Sequence, residues 1–252
     1  MKKLSLILSL CLMCLSSATA QQALFDEANT LFENGELDEA LSLYRQIEAS
    51  GQASGALFLN MGITAIQLDS MGLAKFYFLK AQNFASTNDQ AGAALDYVNS
   101  QFSRQSAKLP KLPWDKAIDW INQELTAEGL FTIGFLLSLN GLVLLYLGWL
   151  QKLSLSRFFP YILSLVIAGT VTAGLSFYAD YVDLRYDQAV LVTESSRVVE
   201  MPNTEGILVS IAYEGYDLTV DHWKSEEKEN WLYIRLGNGQ FGWLPKDGVM
   251  IL

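Results

Sequence analysis

The chain has 252 residues, 51% of them hydrophobic, with 17 basic against 27 acidic side chains and a net charge of −10; the length suits roughly two domains. An acidic chain without a basic cluster excludes nucleic acid as a natural partner, because a polyanion repels it. The apolar excess lies in three blocks, residues 4–15, 129–151 and 158–179, and their lengths matter because a spanning helix needs about 20 apolar residues to cross a hydrocarbon layer about 30 Å thick.

The first block is too short to span. It follows Lys2 and Lys3 and leads into Ala18-Thr19-Ala20, a small-residue cleavage pattern, so residues 1–20 read as a secretory signal peptide. Cys11 and Cys14 would leave with it, and their C-x-x-C spacing inside an export segment carries no redox or metal role. The remaining chain holds 15 basic and 27 acidic residues, a charge of −12.

Residues 21–106 contain a period of 34: Ala28 with Gly62, Ala40 with Ala74, Tyr44 with Phe78, Ile47 with Ala81. Asn34-Gly35 breaks the first helix, and Glu36, Asp38 and Glu39 open the next, with acids near its positive end. Small residues allow close helix crossing while Tyr44 or Phe78 fills the space between hairpins. These residues resemble the tetratricopeptide repeat. The second unit departs at its turn, Asp69-Ser70-Met71-Gly72, and a third supplies only a capping helix near residues 91–104. The resemblance implies a concave groove that binds a peptide or a partner protein, with Asn29, Glu33, Gln67, Tyr97 and Gln101 as candidate lining residues. Solvated helical faces carry the same residue types.

Residues 107–128 form a juxtamembrane linker, broken by Pro110 and Pro113, and an amphipathic helix with the stripe Trp114, Ile118, Ile121 and Leu125. Trp114 and Trp120 suit the lipid–water interface, or the stripe packs on the repeats. Residues 129–151 are 23 uncharged residues, about 34 Å as a helix. Thirteen are Leu, Ile, Val or Phe, each favouring insertion by about 0.3–0.6 kcal/mol. Residues 158–179 form the second, weaker span, with Pro160 in the first turn. Gly134-x-x-x-Ser138 on one span and Gly169-x-x-x-Ala173 or Thr170-x-x-x-Gly174 on the other offer small faces for a hairpin. The loop 152–157 carries Lys152 and Arg157, whereas Glu124, Glu128, Asp180 and Asp183 flank the outer ends, which makes the loop cytoplasmic. Residues 180–187 read as a linker.

Residues 188–252 switch to period-two alternation, with strands expected over 189–193, 206–211, 216–222, 231–236 and 241–244. Gly237-Asn238-Gly239 predicts a hairpin with positive φ at both Asn238 and Gly239. Gly237, Gly239 and Gly242 form a literal G-x-G-x-x-G, but no helix follows, so no phosphate cradle is expected. Trp231-x-x-Ile234, Gly242-Trp243-Leu244-Pro245 and Val249 resemble a bacterial SH3-like domain. The peptide-binding motif of its eukaryotic relatives does not occur at Ala189-Val190-Leu191-Val192, and Gly248 stands where a groove tyrosine belongs, which argues against proline-peptide recognition. Tyr213, Tyr216, Trp231 and Trp243 are either a recognition surface or barrel packing. His222, the sole histidine, is expected in an exposed loop, on the strand face opposite Asp221, and cannot make a zinc site alone. No nucleophile, base and orienting group assemble from known motifs, so neither an enzyme nor a cofactor is expected.

The fold class is thus a multidomain membrane protein: all-α tetratricopeptide-like repeats, a transmembrane helical hairpin and a small all-β SH3-like barrel. The order of these parts resembles the BatE family of the Bacteroides aerotolerance operon. That resemblance implies a non-catalytic inner-membrane scaffold beside other products of the operon, including proteins with von Willebrand factor A-type domains, and a link to aerotolerance or envelope stress. The alternative is an envelope sensor whose terminal domain binds cell-wall peptide or glycan. With both flanking segments in the periplasm, a periplasm-active reporter is expected to work after Leu252 and to fail at Ser154; activity only at Ser154 would reverse the orientation.

Overall fold

A computed structural model describes residues 22–104, 109–110, 113–121, 125–150 and 155–252. The expected signal peptide with Cys11 and Cys14, the anchor-flanking Glu124 and residues 152–154 of the expected loop lie outside the described residues. The chain forms two compact units. One joins the segment up to Ala107 with Gln188–Val220 and Glu227–Leu252; the other joins Lys108–Asp187 with Asp221–Glu226.

In the first unit, helix α1 spans 22–33 and is followed by α2 (Leu37–Ala49), α3 (Gly55–Gln67), α4 (Met71–Gln82) and α5 (Asn88–Gln101). The 34-residue period is also a period of burial: Ala28, Gly62, Ala40, Ala74, Tyr44, Phe78, Ile47 and Ala81 are all inside. Helix α1 ends where Gly35 takes φ +82 and the Glu36 N–H reaches back to the Leu31 carbonyl at 2.9 Å. Thirty-four residues on, α3 ends the same way, with Asp69 at φ +56 and the Ser70 N–H on the Ala65 carbonyl at 2.9 Å. The two turns therefore share one geometry although their sequences differ, and Asp69 holds a left-handed conformation that a glycine adopts without steric cost. Ser54 caps α3, its hydroxyl accepting from the Leu57 N–H at 3.1 Å. Gly62 is required by packing, since a Cβ there would stand 2.4 Å from the buried Phe78 ring.

The same unit holds most of a seven-stranded antiparallel sheet: β1 (Tyr186–Leu191), β2 (Ser195–Val199), β3 (Leu208–Tyr213), β4 (Asp217–Asp221), β5 (Trp231–Leu236), β6 (Phe241–Pro245) and β7 (Val249–Ile251), in the order β3-β2-β6-β5-β4-β1-β7. Strands β2 and β7 were not expected: both are short, and β2 begins with the polar Ser195 and Ser196, which mute its alternation. Leu191, Val198, Leu218, Ile234 and Leu244 fill the core of the sheet. The hairpin expected at Gly237-Asn238-Gly239 forms between β5 and β6, but its turn differs from the expected one. Only Gly239 has positive φ, at +84, and its N–H bonds the Leu236 carbonyl at 2.9 Å. Asn238 instead uses its side-chain oxygen to accept from the Gln240 N–H at 3.0 Å.

The second unit contains α6 (Pro113–Trp120), α7 (Ala127–Trp149), α8 (Leu155–Arg185) and the short α9 (His222–Ser225). Helices α7 and α8 are long and apolar enough to span a membrane, with mean hydropathies of 2.1 and 1.8 over their spanning stretches, and they fit a two-span membrane protein. They cross on the small residues: a Cβ on Gly134 would stand 2.6 Å from the Ala173 nitrogen, and one on Gly169 would stand 2.5 Å from the Ser138 nitrogen. Gly174 lies outside this contact, with nothing near its missing Cβ. Helix α8 starts earlier and ends later than expected, so Pro160 sits inside it and residues 180–185, expected as linker, continue the helix.

Replacing Gly62 by Val is expected to cost about 2 kcal/mol through overpacking against Phe78, and Asp69→Gly to add about 1 kcal/mol by relieving the left-handed strain. Thermal unfolding of the detergent-solubilised chain, followed by helical circular dichroism, measures both. Equal stability of Gly62→Val and the parent would refute the packing account.

Candidate functional site

Asn29, Phe32 and Glu33 from α1, with Asn60 and Ile63 from α3, line a cavity of about 250 Å³. Two hydrogen bonds fix its polar floor. The Tyr44 hydroxyl donates to Asn29 Oδ1 at 2.6 Å, and Asn60 Nδ2 donates to the same oxygen at 2.9 Å. Tyr44 is fully buried, and this burial pushes its phenol above the ordinary value of 10.0, against an Asn60 hydrogen bond that lowers it. The hydroxyl therefore remains neutral at physiological pH and keeps its proton for Asn29. Phe32 and Ile63 supply apolar wall, and Glu33 stands exposed one turn beyond Asn29.

Of the five groove candidates, the cavity brings together Asn29 and Glu33. Gln67, Tyr97 and Gln101 are exposed on α3 and α5, outside its lining, at positions that repeat the register of Asn29 and Glu33 at 34-residue intervals. Phe32, Asn60 and Ile63 were missed by sequence reading. The same period pointed to Ile63, the equivalent of Asn29, and Asn60 lies one turn before it.

The four aromatic candidates on the sheet divide. Tyr213 and Tyr216 pack edge to face at 5.7 Å beside the β3–β4 turn, and the Arg104 guanidinium lies 4.2 Å over the Tyr213 ring. This turn meets the helices. Lys75 of α4, only 5% exposed, places Nζ 2.6 Å from Asp217 Oδ1 and donates to the Gly215 carbonyl at 2.6 Å. Glu214 accepts from the Gly72 N–H at 2.6 Å. Gly215 has φ +78, and a Cβ there would meet the Phe102 ring at 2.2 Å, so the position tolerates only glycine. Tyr213 is thus part of an internal joint, covered by Arg104. Trp231 and Trp243 lie elsewhere, on the sheet face opposite the core: Trp231 pairs across strands with Pro245, Tyr233 with Trp243, and Arg235 with Phe241. The Tyr233 ring contacts both Trp243, at 5.3 Å, and Phe241, at 6.2 Å.

At the end of α8, Arg185 forms hydrogen bonds to Asp221 Oδ2 at 2.7 and 3.1 Å and to the Tyr181 hydroxyl, while Trp223 packs edge to face on Tyr181 at 5.3 Å. His222 contacts Asp187. The expectation that His222 sits in an open loop on the face opposite Asp221 is corrected, because the strand ends at Asp221 and the chain turns helical at His222, sending both side chains to residues 185–187. Among the described residues no group of three or more His, Cys, Asp or Glu is arranged to hold a metal ion. No protein-family model matches the chain, and no curated protein matches it.

Removing Asp217 strips the carboxylate from an ammonium that is only 5% exposed, so Asp217→Ala is expected to cost about 3 kcal/mol. The double change Lys75→Met with Asp217→Leu should restore most of that stability. Urea unfolding followed by tryptophan fluorescence checks this, and a single variant as stable as the parent would show that the joint does not bear on the fold.

Proposed function

We propose that the protein is a non-catalytic, membrane-anchored scaffold that holds a protein partner in a groove centred on the cavity between α1 and α3. The cavity carries this reading: its carboxamides are fixed by a buried phenol, it is flanked by apolar wall, and it opens at the surface of α1 and α3. Fixed polar groups beside apolar surface suit recognition, since little side-chain freedom remains to be lost on binding. In this reading the helices are tetratricopeptide-like repeats, and the sheet is a bacterial SH3-like domain. Both stand in the periplasm, and the α7–α8 hairpin is the inner-membrane anchor. Two crossings return the chain to the side from which it left, and the Lys75 joint between helices and sheet supports a common compartment for both. The resemblance in order of parts to the BatE family supports partners among the operon's other membrane products and a role in aerotolerance or envelope stress.

A second reading rests on the outer face of the sheet, where Trp243, Tyr233 and Phe241 form a row of aromatic rings suited to stacking on cell-wall glycan. One experiment separates the two. In mild detergent, Ile63→Arg should reduce capture of the protein's membrane partners at least tenfold while Trp243→Ala leaves it unchanged. The opposite pattern, together with binding of isolated wall material that Trp243→Ala abolishes, would move the site to the sheet and refute the groove.

A further inference from the structure

We propose that the groove selects an extended peptide segment carrying a lysine or arginine, whose charge is read by Glu33 while Asn29 and Asn60 hold the peptide backbone. This rests on the groove being the binding site. Charge along the repeats is segregated by helix. The first helices of the hairpins, α1, α3 and α5, carry Asp26, Glu27, Glu33, Asp89 and Asp96 and not one Lys, Arg or His. The bases of the repeats sit on the second helices, each with a partner inside the fold: Arg45 on the Tyr77 hydroxyl at 3.2 Å, Lys75 on Asp217, and Lys80 on Glu48 and 4.5 Å over the Phe58 ring. Arg104 lies over Tyr213. Among the described residues Glu33 is thus the one charged residue lining the cavity, and no cation shares that lining.

The carboxamides add the second half of the specificity. With Asn29 Oδ1 receiving hydrogen bonds from Tyr44 and Asn60, Asn29 Nδ2 is oriented to donate and Asn60 Oδ1 to accept. One donor beside one acceptor matches the alternating carbonyl and N–H of an extended chain. A cavity of about 250 Å³ suits one long side chain, being smaller than the roughly 300–1,000 Å³ of drug-sized sites. Phe32 and Ile63 would cover a lysine or arginine stem while its head reaches the exposed carboxylate.

The test uses the full chain in zwitterionic detergent and fluorescence anisotropy with three labelled, end-blocked peptide pools of about ten residues, neutral and mixed at every position except a central Lys, norleucine or Glu. The Lys pool should bind about fivefold more tightly than norleucine, as for a partly exposed ion pair, and the Glu pool most weakly. Glu33→Gln should abolish the preference for Lys over norleucine, bringing the two pools to equal affinity, and high salt should do the same. Ile63→Arg should abolish binding of every pool. Equal binding of Lys and norleucine, or a Lys preference that survives Glu33→Gln, overturns the charge selection but leaves the groove standing if Ile63→Arg still blocks binding. Absence of binding by all three pools overturns both.

Discussion

A buried ammonium organises the larger unit. Lys75 is withdrawn from water, which costs several kcal/mol for an isolated ion, and the fold compensates by supplying the Asp217 carboxylate and the Gly215 carbonyl, each at 2.6 Å. Those partners lie more than a hundred residues away, beyond both apolar helices. The turn that carries them is shaped by Gly215 at φ +78 and approaches α4 where Gly72 leaves room, a Cβ there standing only 2.9 Å from the Leu191 carbonyl. Segments that read as separate modules therefore fold as one unit. Two helices long and apolar enough to span a membrane lie between these segments in the chain.

The same unit ties its interior to its surface through Tyr44. The phenol sits in the core at the position that Phe78 fills in the next hairpin, yet its hydroxyl ends on Asn29 at the cavity. A side chain that reads as packing alone thus sets the hydrogen-bond pattern at the cavity floor. Phe78 shows the other use of that position: its ring takes the space left by Gly62, and no hydroxyl is needed.

In the second unit, small residues that let two backbones approach closely explain the hairpin. Helices α7 and α8 associate through close backbone approach at Gly134 and Gly169, leaving large side chains such as Phe135 and Val171 exposed. Where α8 ends, charge takes over. Arg185, Asp221 and the Tyr181 hydroxyl satisfy one another, and Trp223 covers the cluster.

What the sequence determined by itself was local or periodic. The 34-residue period foretold eight buried positions because small and aromatic residues recurring at one spacing share one packing environment, and the uncharged runs foretold two long apolar helices because hydropathy depends on composition. The crossing residues Gly134 and Gly169 were legible too, since small residues at four-residue spacing mark one helical face. The cavity was legible in part: the resemblance to tetratricopeptide repeats offered Asn29 and Glu33 of its lining, but not the hydrogen bonds that fix Asn29 and Asn60. Tertiary structure alone decided the pairing of Lys75 with Asp217, the loss of Tyr213 to an internal joint, and the convergence of Asp221 and His222 on the end of α8. Each of these joins residues far apart in the chain, and no periodicity or local propensity carries information about such a contact.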